Sequence, residues 1–268
     1  VIVNYSWHHA FGALGVVGLI WVVLWLMMGR EGPLTSNAEE SQGSAQAYPY
    51  SRLLTTPTFI GAVLSTFGAY WVLSIGLTWF TPFIVKGLGF SQKEAGLISI
   101  LPWVFGAVVV LITGWISQRM MARGLSTRKA RGVLGAAPLV VGGLILMAMP
   151  YVADRSLLIA LLVVGSGLCG SIYVVCPPML GEFAPTSQRG AVIAIYGGLY
   201  TIAGVLSAAV MGGVIQKASS EMAGYLMGFQ INGVILIASG LIGLALLRPN
   251  SERARLAASA TVAQPKAA

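Results

Sequence analysis

The chain has 268 residues, of which 56% are hydrophobic and only 9% charged, against about 25% charged in an ordinary water-soluble domain. Its 16 basic and 8 acidic residues leave a net charge of +8, which in a soluble protein would point to DNA or RNA; here the apolar excess makes lipid the main solvent and turns attention to where the cations lie. Cys169 and Cys176 sit too far apart along one apolar stretch to pair with each other, so neither a disulfide framework nor a metal cluster is indicated, and no cofactor is expected.

Seven stretches are long and apolar enough to cross a bilayer of about 30 Å: 10–29, 57–82, 95–117, 132–151, 157–178, 190–216 and 225–247. None contains Asp, Glu, Lys or Arg, so no water-facing stripe exists to make them soluble helices. The expected fold is therefore an all-α membrane protein with seven transmembrane helices. Val1 to Ser6 has neither the basic start nor the cleavage site of a signal peptide, and the missing Met suggests a truncated start. His8 and His9 precede the first span and read as interfacial side chains rather than a proton relay.

After the first span, "REGPLTSNAEESQGSAQAYPYSR" is polar and poor in groups to bury, which predicts an unstructured cytoplasmic linker over 30–56. Thr56-Pro57 then forms a cap and first-turn pair that starts the second span. Within that span Thr66, Tyr70, Ser74 and Thr78 recur every four residues and share one slowly turning face. Such a face, with Trp71 beside it as a stacking platform, predicts the wall of a water-filled cavity; the competing reading bonds the hydroxyls to their own helix or to a neighbour. Gly61, Ser65 and Ala69 run at the same spacing, as do Gly204, Ala208 and Gly212 in the sixth span, and both series predict close helix contacts.

Between the third and fourth spans, "GWISQRMMARGLSTRKARG" places Arg119, Arg123, Arg128, Lys129 and Arg131 in 13 residues. A basic nucleic-acid surface needs a folded face that so short a loop between two spans does not offer. Cations held on the cytoplasmic side explain it. With seven spans, twelve cations (these five, Arg30, Arg52, Arg189, Arg248, Arg253, Arg255 and Lys266) fall on one side. Only Lys86, Lys93, Arg155 and Lys217 fall on the other. The predicted topology has the N-terminus outside and the C-terminus in the cytoplasm, with an unstructured tail over 248–268.

The fourth span contains Pro138, and the third and fifth carry Pro102 and Pro177-Pro178, which predict breaks or kinks. Ser166, Cys169, Tyr173 and Cys176 stripe the fifth span, while Tyr196 and Tyr200 sit one turn apart in the sixth. Trp7, Trp79, Tyr151 and Tyr225 near one interface, with Trp25 and Trp115 near the other, fit aromatic belts.

Gly114, Ser117, Arg119 and Arg123 resemble the loop motif of the major facilitator superfamily in its weaker second copy, with Gln118 at the usual aspartate position. Glu182, Pro185, Arg189 and Gly190 match that superfamily's acid, proline, arginine and glycine pattern between helices ten and eleven. "LTWFTPFIVKGLGFSQKEAGLISILPWVFGAV" is similar to its anion:cation symporter family, as is "SWHHAFGALGVVGLIWVVLW" to the sixth helix there. The resemblance covers residues 6 to 250 and implies that the spans are helices six to twelve of a twelve-helix fold: 1–29 as helix six, 57–247 as the C-terminal six-helix bundle.

It implies, further, a secondary transporter that moves a small organic acid with protons, in a bacterial inner membrane, through a pore completed by the missing N-terminal half. Substrate would bind near mid-bilayer, at Thr66, Tyr70, Trp71, Ser74, Thr78, Tyr173, Tyr196 and Tyr200. The asparagines that many family members carry around the double glycine of helix eleven are replaced here by Ile195, Tyr196, Leu199 and Tyr200, which would favour an aromatic or less hydroxylated acid. Gly114, Gln118, Arg119, Arg123, Glu182 and Arg189 would form the cytoplasmic gate, with Glu182 pairing Arg119 or Arg189 as a latch. The rival readings are a seven-helix receptor, which shares the topology but not the linker and motifs, and a nonfunctional or scaffolding fragment of a transporter. No enzymatic chemistry is indicated.

Overall fold

A computed structural model describes residues 7–29 and 48–252. The chain divides into two units, Val1–Ala45 and Gln46–Ala268. Among the described residues of the first unit, one helix, α1, runs Trp7–Met28.

In the second unit the described residues are helical apart from short connections, and six segments are long and apolar enough to cross a bilayer; α1 makes the seventh. Helix α2 (Tyr50–Leu54) leads to α3 (Pro57–Pro82). Thr56 caps α3 as expected: its hydroxyl accepts from the Phe59 backbone N–H at 3.3 Å, with Pro57 in the first turn where no N–H is needed. A wide turn, Phe83–Gly87, extends this span.

The third and fifth spans are each broken into two helices. α4 (Gln92–Ile98) begins with a capping box of Ser91 and Glu94 and gives way to α5 (Leu101–Ala122), which carries Pro102 in its first turn. A proline supplies no N–H, so the bonding ladder restarts there. After the wide turn Arg128–Val133 comes α6 (Leu134–Ala148). The fifth span comprises α7 (Arg155–Gly167), capped by Asp154, and α8 (Gly170–Phe183). Its break at Leu168 and Cys169 lies where glycines bring it against α5: a Cβ on Gly170 would stand 3.0 Å from the Gly106 carbonyl oxygen. Pro138, Pro177 and Pro178 lie inside helices. α9 (Arg189–Lys217) and α10 (Glu221–Leu246) complete the unit.

α10 packs most extensively on α6 and on α3; α3 packs equally closely on α9, while α5 lies along α7 and α8. The tightest seam is α6 with α10. A methyl carbon on Gly143 would lie 2.6 Å from the Gly233 carbonyl oxygen, and one on Gly240 2.9 Å from the Val140 nitrogen. In a solvent as apolar as the side chains themselves, close backbone approach replaces hydrophobic burial as the source of attraction. The small-residue series in α3 does the same work against α10: Gly61 faces Leu246, and the Ser65 hydroxyl donates to the Ser239 carbonyl at 3.1 Å. The series in α9 instead receives aromatic rings from α3, Tyr70 over Gly204 and Trp79 over Gly212.

Three expectations change. Residues 30–47 of the anticipated linker and 253–268 of the tail lie outside the described residues, but the described ends of both segments are folded. Leu53 of α2 is fully buried, and the Gln188 side chain clasps the Tyr48 backbone, donating to its carbonyl at 2.7 Å and accepting from its N–H at 3.0 Å. At the tail, Leu247 is buried, the Arg248 N–H donates to the Thr58 hydroxyl at 3.2 Å, and 249–252 are helical with Glu252 buried. One apolar anchor and one satisfied backbone group suffice to order such ends, which composition averaged over a window does not register. The aromatic belt also splits. Tyr151 and Trp115 are exposed, whereas Tyr225 is buried against Phe83 at 5.5 Å between ring centroids and touches Trp79 at 6.4 Å.

Candidate functional site

Four phenols from three helices converge in the interior. Tyr70 comes from α3, Tyr173 from α8, and Tyr196 and Tyr200 from α9, one turn apart. Tyr200 is the hub: its ring centroid lies 5.4 Å from that of Tyr70, 6.1 Å from Tyr173 and 5.0 Å from Tyr196. The inclined rings, with interplanar angles from 55° to 66°, set positive edges against negative faces. At the buried end of the cluster Thr66 Oγ1 and Tyr196 OH share a hydrogen bond of 2.7 Å. The hydroxyls of Tyr70 and Tyr200 have no hydrogen-bond partner among the described residues, and that of Tyr173 is buried as well as unpartnered. The nearest charged side chains in sequence are Arg189, about two turns from Tyr196, and Glu182, about two and a half turns from Tyr173, so the cluster itself presents ring faces and hydroxyls.

The hydroxyl face of α3 is thus less open than its spacing alone suggests. Ser74 donates to the Gly204 carbonyl at 3.1 Å and Thr78 to the carbonyl of Ser74 on its own helix at 2.8 Å. Together with Thr66, three of the four members are engaged with helix or neighbour, which leaves Tyr70 as the one that joins the rings. Trp71 belongs elsewhere. Its indole N–H donates to Asn232 Oδ1 of α10 at 3.1 Å, and its ring tilts on Phe67. One residue is 100° of helix rotation, so a neighbour of Tyr70 faces a different helix. In the fifth-span stripe Tyr173 joins the rings and the buried thiol of Cys176 lies against Thr66 and Tyr196; Ser166 bonds back to Leu162 at 2.5 Å, and Cys169 is a buried thiol outside any disulfide.

At the end of the bundle where the five cations lie, Glu182 pairs with Arg131, and both side chains are half-buried. This corrects the expected partner. Arg119 lies over the Trp115 ring at 5.0 Å, and Arg189 runs its aliphatic stem along Gly181. The wide turn 128–133 swings Arg131 back toward α8, a direction invisible in the loop's composition. Gln118 and Arg123 are exposed, and Gly114 packs against Val174 of α8. Arg131, Asn232 and Gln188 are the residues that sequence reasoning passed over. Asn232 had a signal, as an amide alone in an apolar span; the other two had none.

Seven helical segments long and apolar enough to cross a bilayer, six of them in one unit with a phenol cluster inside it, define a multi-pass α-helical membrane protein. The Major Facilitator Superfamily model matches residues 1–153, more than half of the chain, and the protein belongs to that superfamily. Its relatives are transporters rather than enzymes. The ascorbate transporter of Arabidopsis thaliana chloroplasts is 25% identical over 82% of this chain and 42% of its own length. The hexuronate transporter of Bacillus subtilis is 25% identical over 92% of this chain and 58% of its own. The D-galactonate transporter of Escherichia coli is 25% identical over 75% and 50%. The chain spans about half the length of the curated relatives it matches.

Proposed function

We propose that the chain forms the C-terminal half of a secondary transporter that moves a small organic anion together with protons by alternating access. The observation that carries this reading is the convergence of Tyr70, Tyr173, Tyr196 and Tyr200 from three helices among spans whose apolar stretches hold no Asp, Glu, Lys or Arg. The acids named for the relatives, ascorbate, hexuronate and galactonate, supply the substrate class. In this reading α1 is helix six of a twelve-helix fold, 30–56 connects the halves, and 57–247 is the second bundle.

A bundle whose spans hold no Asp, Glu, His, Lys or Arg has no group that exchanges a proton readily near neutral pH, so proton coupling and the countercharge for the anion fall to the first half. Thr66, Ser74 and Thr78 shape the wall behind the phenols, and Trp71 sets the spacing of α3 and α10. The distribution of cations, twelve against four, supports a cytoplasmic C-terminus and an outside N-terminus, and the bacterial relatives support the inner membrane of a bacterium. Arg131 and Glu182, with Gly114, Gln118, Arg119, Arg123 and Arg189 around them, act as a cytoplasmic latch that opens when the halves rock.

The test is uptake of labelled organic acids by vesicles containing the complete polypeptide, with and without an inward proton gradient. Gradient-stimulated accumulation is expected, and Glu182→Ala should slow transport more than it weakens substrate binding. Accumulation indifferent to the gradient rejects proton coupling, and equal losses in rate and binding reject the latch.

A further inference from the structure

Beside the phenol cluster lies a cavity of about 210 Å³ that no assignment above uses. It sits among α3, α5 and the break between α7 and α8, and its wall is almost wholly apolar: Val72, Leu73, Phe80, Trp103, Val110 and Tyr173. Glycines shape it. Gly76 opens one side, where an added Cβ would meet nothing within 4 Å, and Gly106 lies beside Gly167 and Gly170 at the other. Ser166 also borders it, but its hydroxyl is turned back to Leu162. Tyr173 belongs to both the cavity and the ring cluster, and its buried hydroxyl has no partner among the described residues.

A dry apolar cavity of about 150 Å³ is enough to hold one benzene ring. This one is somewhat larger and, through Tyr173, adjoins a ring cluster in which the hydroxyls of Tyr70, Tyr173 and Tyr200 have no partner among the described residues. A polyhydroxylated acid placed in it would lose hydrogen bonds to water with a single hydroxyl to replace them, a loss that apolar walls do not offset. A flat ring would lose nothing.

We propose that this cavity is a slot for one aromatic ring and that the substrate is an aromatic monocarboxylate. The ring enters between α3, α5 and α8, and the carboxylate accepts hydrogen bonds from the phenols of Tyr70 and Tyr200. The Tyr173 hydroxyl reads a polar substituent on the ring. The inference rests on the reading of the phenol cluster as an organic-anion site and narrows its substrate class.

Equilibrium dialysis of labelled benzoate and gluconate against the complete polypeptide in detergent tests it. Benzoate should bind at least about tenfold more tightly than gluconate. Gly76→Leu, which fills the slot from its open side, should weaken benzoate by about tenfold without lowering the melting temperature. Leu73→Ala, which enlarges the slot, should raise the ratio of 2-naphthoate to benzoate affinity by a similar factor and serves if the first variant fails to fold. Tyr173→Phe should cut the preference for 4-hydroxybenzoate over benzoate by about fivefold. Tighter binding of gluconate than of benzoate, or an affinity for benzoate that neither Gly76→Leu nor Leu73→Ala alters, overturns the slot and leaves the organic-anion reading standing. Binding of none of these carboxylates overturns both.

Discussion

The seam between α6 and α10 and the cluster shared by α3, α8 and α9 are built on opposite plans within one bundle. In the seam, Gly143, Gly233 and Gly240 let backbones meet with no side chain between them. In the cluster, four tyrosines meet ring against ring between three helices, and the hydroxyls of Tyr70, Tyr173 and Tyr200 have no partner among the described residues. A seam of glycines tolerates no addition and holds nothing; a cluster of rings leaves gaps that a ligand can use. The difference separates a part that only holds helices together from the part in which the proposed site lies, although both sit within apolar spans.

Substitution can break that contrast, and the largest effect belongs to the seam. Gly143→Val drives its Cβ to within 2.6 Å of the Gly233 carbonyl, so the helices must part. A loss of about 3 kcal/mol is expected, read as a lower melting temperature in detergent. Gly213→Ala is the control, because a Cβ there meets nothing within 4 Å and stability should hold or rise slightly. A loss at both positions would show that glycine matters for the helix itself rather than for the seam.

A smaller effect is expected at the border of the two regions. Trp71→Phe removes the donor to Asn232 and leaves a buried amide oxygen unsatisfied, at about 1 kcal/mol. Adding Asn232→Leu should recover part of that loss, because both polar partners are then gone. If the double variant is no more stable than Trp71→Phe, the bond between them does not hold α3 to α10.

The smallest change in stability should come from the cluster. Tyr196→Phe deletes the hydrogen bond to Thr66, and such bonds between membrane helices are worth about 0.6 kcal/mol. Transport by the complete polypeptide should nonetheless fall severalfold, since the ring that braces Tyr200 loses its anchor. A variant that loses as much stability as Gly143→Val while keeping full uptake would place Tyr196 in the scaffold and erase the contrast drawn above.

Much of the architecture was legible beforehand. The seven spans, the Thr56 cap with Pro57 and the small-residue contacts of Gly61 and Ser65 follow from local properties: apolar length, one side-chain bond and four-residue spacing. Residue spacing also put Tyr70, Tyr173, Tyr196 and Tyr200 among the candidates, because a four-residue period places hydroxyl and ring on one helix face.

Spacing on one helix says nothing about which other helix lies opposite. That Trp71 turns to Asn232, that Glu182 finds Arg131 rather than Arg119 or Arg189, and that Gln188 clasps Tyr48 across 140 residues of chain depend on where helices cross. The cavity behind Tyr173 lies where the break of the fifth span packs through Gly167 and Gly170 on Gly106 of α5. Solvent preference is additive along a chain and can be read residue by residue. Partner choice is a property of distances between segments remote in sequence, and only packing in three dimensions sets those distances.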